Sequence, residues 1–174
     1  MMIISKKDKI KNKEQRTILV VHGGFDSTLE ELYFSAVALA LERGYNCIAF
    51  EGPGQGGVIR KQKIPFRFDW EKVVTPVIDF LMSDNIKYGI DTNRIALMDI
   101  SMGGYLAARA AAFEHRLSAC VLYNGVYDGK EALESSFHSP LLKAIKDGNE
   151  KVVNIFEILM ETNSNIKFNI KHGM

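Results

Sequence analysis

Four short apolar runs, at residues 17–22 (TILVVH), 46–50 (NCIAF), 94–98 (RIALM) and 118–123 (SACVLY), lack the apolar–polar alternation of a strand with one wet face. Each therefore reads as a strand buried on both sides. Segments of helical periodicity separate them. Ser27 or Thr28 can cap a helix that runs to about Arg43, with Gly44 as its stop signal. Its apolar positions Leu29, Leu32, Tyr33, Ala36, Val37, Ala40 and Leu41 recur at the helical period and define one buried face. Asp69 can cap a second helix over 70–82, where Pro76 predicts a kink or a late start. A third follows over 102–114. Doubly buried strands alternating with helices point to an α/β fold, a parallel sheet wrapped by helices on both faces. From Lys130 onward apolar residues keep the helical spacing without further strands, so 129–174 reads as a helical cap segment.

Length and charge narrow the rest. At 174 residues the chain is long enough to bury one core, and its net charge of +1 gives no electrostatic case for nucleic acid or an anionic membrane. Residues 1–16 carry several lysines but no apolar stretch resembling a signal peptide, and read as a polar, solvated tail or turn. No run approaches the ~18 apolar residues needed to span a bilayer. Cys47 and Cys120 fall inside apolar runs and are expected to be buried, reduced thiols, which suits a cytoplasmic protein.

The chemistry concentrates where the third strand meets its helix. Residues 94–108 (RIALMDISMGGYLAA) turn at Ser101 from an apolar strand into an alanine-rich helix. That is the layout of a nucleophile elbow, which lifts a serine hydroxyl above a strand end and offers the helix N-terminus to a developing oxyanion. One position departs from the G-x-S-x-G pattern. Asp99 stands two residues before the serine, where a side chain adds bulk and a carboxylate puts negative charge near an anionic transition state. The competing reading makes Ser101 a plain helix N-cap.

Two glycine-rich turns accompany the elbow. His22-Gly23-Gly24-Phe25-Asp26 follows the first strand, where a loop can aim backbone N–H groups at the substrate oxygen. The oxyanion hole would then be the amides of Phe25 (or Gly24) and Met102. Gly52-Pro53-Gly54-Gln55-Gly56-Gly57 formally matches G-x-G-x-x-G, but a dinucleotide site needs a helix opening at those glycines. Pro53 interrupts the motif and no convincing helix follows through Arg60, Lys61 and Lys63, so no cofactor is expected, and no metal site.

Taken together, HGGFDST, FEGPGQG, FRFDWEKVVTPVIDFL, RIALMDISMGGYLAARAAAFEHR and ACVLYNGVYD resemble α/β-hydrolase enzymes. The resemblance is nearest to the branch of dipeptidyl aminopeptidase/acylaminoacyl-peptidase-like and FrsA-like esterases. It covers residues 17–128 as a hydrolase core, and 129–174 as that branch's cap. It implies Ser101 as nucleophile, Phe25 and Met102 as oxyanion donors, and cleavage of a small-molecule ester or amide through an acyl-enzyme. It also implies an acid and a histidine on further strands after the cap, so the chain is expected to be the central part of a longer hydrolase. Within the chain, the order serine–acid–histidine is met by Ser101, Asp128 and either His138 or His172. Asp128, however, belongs to the exit of the fourth strand, and both histidines fall in helical sequence. No histidine is therefore expected within hydrogen-bond reach of Ser101; His115 should face solvent, and His22 should hold its loop rather than act as base. The alternative from another class is an inactive remnant serving as a binding or assembly module. The expected strand order is second, first, third, fourth. Both edges, 46–50 and 118–123, would then lie open, favouring a homo-oligomer or a complementing fragment.

Overall fold

The computed structural model describes residues 15–83 and 89–128, the backbone of 2–4, and positions 131, 135, 143, 146–151 and 154. The strands are β1 (Met2–Ile4), β2 (Arg16–His22), β3 (Asn46–Phe50), β4 (Ile90–Ile100) and β5 (Ala119–Tyr123), in the sheet order β1-β3-β2-β4-β5. The four later strands are parallel and follow the expected order. Between β2 and β3 the chain forms α1 (Leu29–Leu32), a π-helical turn (Tyr33–Val37) and α2 (Ala38–Glu42). Thr28 caps α1 by accepting from the Glu31 amide, 3.4 Å, and Gly44 follows the last turn at φ +87°. The long helices α3 (Glu71–Ser83) and α4 (Met102–Phe113) follow β3 and β4.

Side-chain alternation along the strands feeds two cores. Leu19, Val21, Cys47, Ala49 and Met98 pack under Leu32, Ala36, Val37 and Ala40, the face foreseen for the first helix. Ile18, Val20, Ile48, Phe50, Ile95 and Leu97 point the other way, toward Trp70, Val74, Ile78, Leu81, Leu106, Ala107 and Ala110. The sheet is thus covered on both faces, as the unbroken apolar runs require. Cys47 lies in the first core, where burial pushes its thiol up to about 11.

Several local expectations need correction. The tail 1–16 is not wholly solvated: Met2–Ile4 pairs antiparallel with β3, Met2 against Ala49 and Ile4 against Cys47. Three apolar residues suffice because a strand edge with unpaired N–H and C=O groups was waiting for them. The β3 edge is therefore covered. Val58–Gln62 forms a π-helical turn where no helix was expected; Glu51 Oε2 accepts from the Gly57 amide, 2.8 Å, at its start. The Asp69 carboxylate takes Arg67 in a two-pronged bond (2.6 and 2.7 Å) and Lys72 at 3.0 Å; these cations hold its carboxyl well below the usual range. Pro76 lies within α3, which starts five residues earlier at Glu71. Cys120 is exposed, not buried, although its Sγ sits 3.7 Å from the Ala107 carbonyl oxygen. All of β5 is exposed, since no strand among the described residues pairs with its outer side.

An acid-sensitive link ties α3 to the end of α4. Glu114, buried, accepts from Thr75 Oγ1 at 2.9 Å and from Arg116 Nη2 at 2.6 Å. Arg116 holds the Glu114 carboxyl down from its ordinary 4.5 to about 2. A folded-state pKa below the unfolded one means that the stabilisation is complete above the unfolded value. It is lost as the pH falls from about 4.5 to about 2. Glu114→Gln is expected to cost about 2 kcal/mol at neutral pH and to flatten the acid limb of stability over that window. Urea melts between acidic and neutral pH check both; an unchanged acid limb would remove Glu114 from this role.

Candidate active site

The strand order reverses between β2 and β4, the switch point beside which parallel α/β sheets place their ligands. Ser101 stands at the end of β4 with φ 58° and ψ −127°, a backbone state that costs a non-glycine residue about 1–3 kcal/mol. Its amide donates to the Tyr123 carbonyl at the end of β5, 3.1 Å, which braces the turn. The side chain is exposed and makes no capping bond to α4. The plain N-cap reading therefore fails. What the local structure does is present Oγ at a helix N-terminus.

Close approach explains the glycines. A Cβ on Gly104 would lie 2.6 Å from Gly125 Cα, so the first turn of α4 rests directly on the loop after β5. A Cβ on Gly24 would lie 3.2 Å from the Gly103 nitrogen, 3.3 Å from the Ile100 oxygen and 3.7 Å from the Met102 nitrogen. The loop after β2 thus lies against the elbow backbone itself. The Gly24 amide is committed to Ser27 Oγ at 3.1 Å. Among the described residues the Phe25 and Met102 amides have no acceptor. Of the two donors considered for the loop, Phe25 is the one left available.

Three residues fix this loop. Gln55, fully buried, donates from Nε2 to the carbonyls of Gly23 and Gly24, and its Oε1 accepts from the Gly52 amide at 2.8 Å. Glu51 reaches the other end of the loop, accepting from the Leu29 amide at 3.1 Å at the start of α1. Trp70 donates from Nε1 to His22 Nε2 at 3.1 Å, and its ring fills the space a Cβ on Gly52 would need. The glycine-rich turn that formally resembled a cofactor loop is a clamp for its neighbour. Its signal was visible: Gln55 is the one amide side chain in a stretch of glycine and proline.

His22 is fully buried and, through Trp70, holds the loop as expected. Its ring Nδ1 faces the Asp99 carboxylate and the Gly23 carbonyl. Asp99 is itself buried, and the bare sequence could not pair it with His22 without the register of β2 on β4, where Val21 lies beside Met98. His115 is exposed just past α4. Asp128 is exposed, and its Oδ1 accepts from the Glu131 amide at 3.0 Å. His138 and His172 lie outside the described residues. No side chain among the described residues hydrogen-bonds Ser101 Oγ. Among them, too, no group of three His, Cys, Asp or Glu is placed to hold a metal ion, and no helix is long and apolar enough to cross a membrane.

The sequence pattern of the family described as "Alpha/beta hydrolase family" matches residues 18–159. Hydrolase acrC of Aspergillus aculeatus is 48% identical over 118 residues, 67% of this chain and 27% of that protein. The 20-hydroxy-prefusarin hydrolase of Gibberella moniliformis is 39% identical over 160 residues, 90% of this chain and 38% of that protein. A crystal structure of a 2,6-dihydroxy-pseudo-oxynicotine hydrolase superposes with a TM-score of 0.62 at 26% identity, covering 91% of this chain and 40% of that one. The chain thus spans well under half the length of each of these relatives.

Proposed function

The chain belongs to the alpha/beta hydrolase family, and on that premise we propose that Ser101 is the nucleophile of a hydrolase cleaving an ester or amide. The observation that carries the reading is the strained, exposed Ser101 turn, φ 58°, with the Gly24 backbone packed against the Gly103 amide. In this reading Oγ attacks the substrate carbonyl carbon and its proton passes to a base. The carbonyl electrons move onto oxygen, and the Phe25 and Met102 amides receive that oxyanion. Collapse expels the alcohol or amine, which takes up the proton, and water then releases the acyl group from Ser101. The base is assigned outside the described residues, to His138, His172 or a histidine in the greater length that the relatives possess. Asp128 remains a candidate acid by chain order alone.

The resemblance to esterases and dipeptidyl aminopeptidases supports ester or amide chemistry. The names of two relatives, 20-hydroxy-prefusarin hydrolase and 2,6-dihydroxy-pseudo-oxynicotine hydrolase, support a small organic substrate. The test is to map the adduct of a fluorophosphonate probe by mass spectrometry. Attack of Oγ on phosphorus expels fluoride, so an adduct on Ser101 is expected. An adduct at another residue, or none at all, overturns the reading.

We also propose that the chain self-associates through β5. Its outer edge is unpaired among the described residues, and Val121, Leu122 and Tyr123 are 45%, 47% and 62% exposed. The strand carries no proline or lysine to discourage pairing. Light scattering of the 174-residue chain at tens of micromolar is expected to give dimers or larger species. A stable monomer would contradict this.

A further inference from the structure

Beneath the elbow lies a buried carboxyl group that the proposed mechanism does not use. Asp99 is 1% exposed and, by the alternation along β4, shares the face of Ile95 and Leu97 that packs toward α3 and α4. Its Oδ1 accepts from the Ile100 amide at 2.6 Å. Its Oδ2 abuts His22 Nδ1 without hydrogen-bond alignment, and is the one buried side-chain oxygen or nitrogen among the described residues with no hydrogen-bond partner. Asp99 also lies directly under the first turn of α4. A Cβ on Gly103 would come within 2.3 Å of Asp99 Cγ.

The decisive question is whether His22 neutralises this carboxylate, and Trp70 answers it. The indole Nε1–H can only donate, so His22 Nε2 must offer a lone pair to it at 3.1 Å. The proton then resides on Nδ1, beside Asp99 Oδ2 and the Gly23 carbonyl. A ring with an unprotonated Nε2 carries no charge. Among the described residues no lysine or arginine pairs with Asp99 either.

We propose that Asp99 is a rate-determining electrostatic element of the Ser101 site, its unneutralised carboxylate opposing the oxyanion above it. The proposal rests on Ser101 being the nucleophile. The field at the N-terminus of α4 favours negative charge, and the Met102 amide belongs to that terminus. A fixed negative charge under the same turn draws on the same field and raises the barrier to forming the oxyanion. In an interior screened like most protein sites, a unit charge several ångströms away changes a rate by on the order of tenfold to a hundredfold.

The test uses Asp99→Ala, which keeps the Cβ already accommodated there, and Asp99→Asn, which is nearly isosteric and uncharged. Both are expected to raise the second-order rate of Ser101 phosphonylation by about tenfold or more, because the phosphoryl oxygen also gains negative charge. Infrared difference spectra between the parent protein and Asp99→Asn are expected to show an ionised carboxylate band for Asp99. A protonated carboxyl band overturns the proposal, as does labelling that is unchanged or slower in a folded Asp99→Ala and Asp99→Asn. Labelling absent from the parent and both variants would overturn the nucleophile reading itself, and the charge on Asp99 then stands or falls on the infrared band alone.

Discussion

Ser101→Ala is expected to lower ester turnover by the protein by about three orders of magnitude or more. Deleting Oγ removes the bond-forming atom and leaves only the oxyanion donors and binding, which in serine hydrolases retain ~10³–10⁴-fold over water. The fold should tolerate the change. Ser101 is exposed, its side chain makes no capping bond, and its amide still reaches Tyr123. Stability is therefore expected to move by less than about 1 kcal/mol. Steady-state hydrolysis of an activated ester, measured beside a urea melt, separates the two. Turnover that survives in Ser101→Ala would move the chemistry elsewhere.

Gln55 is expected to show the largest effect of any side chain outside the elbow. Gln55→Met keeps the volume but orphans the Gly24 carbonyl and the Gly52 amide, and leaves the Gly23 carbonyl to His22 Nδ1 alone. A buried group left without its partner costs about 1–3 kcal/mol. Two such groups, partly relieved by relaxation, give an expected loss of about 2–4 kcal/mol. The same change frees the His22–Phe25 loop, so phosphonylation of Ser101 should slow by about tenfold or more even in the fraction that stays folded. Glu51→Gln is a useful contrast. It retains a carbonyl oxygen for one of the two amides now bound, Leu29 and Gly57, and should cost less than Gln55→Met. A Gln55→Met protein as stable and as reactive as the parent would show that the loop is held by other contacts.

The central strands were legible because burial on both faces leaves unbroken apolar runs, and the helices because Leu32, Ala36, Val37 and Ala40 repeat at the helical period. Ser101, Gly103 and Gly24 were legible because a tight turn and close backbone approach admit few residue types. What stayed hidden depends on pairings far apart in sequence. Met2–Ile4 is too short to show a period, and its place is set by the free edge of β3. Asp99 was visible as a departure from the elbow pattern. That it is buried beside His22, whose other ring nitrogen accepts from Trp70, follows from strand register and from a tryptophan 48 residues away from the histidine. Gln55 was visible, but two of its partners, the Gly23 and Gly24 carbonyls, lie on the neighbouring loop after β2.

The Phe25 and Met102 amides are expected to form one oxyanion hole over Ser101. A crystal structure of the Ser101 phosphonate adduct tests it most directly. The phosphoryl oxygen is expected at about 2.7–3.1 Å from both backbone nitrogens, the spacing of working oxyanion donors. A phosphoryl oxygen turned to solvent, or held by groups other than these two amides, would contradict it.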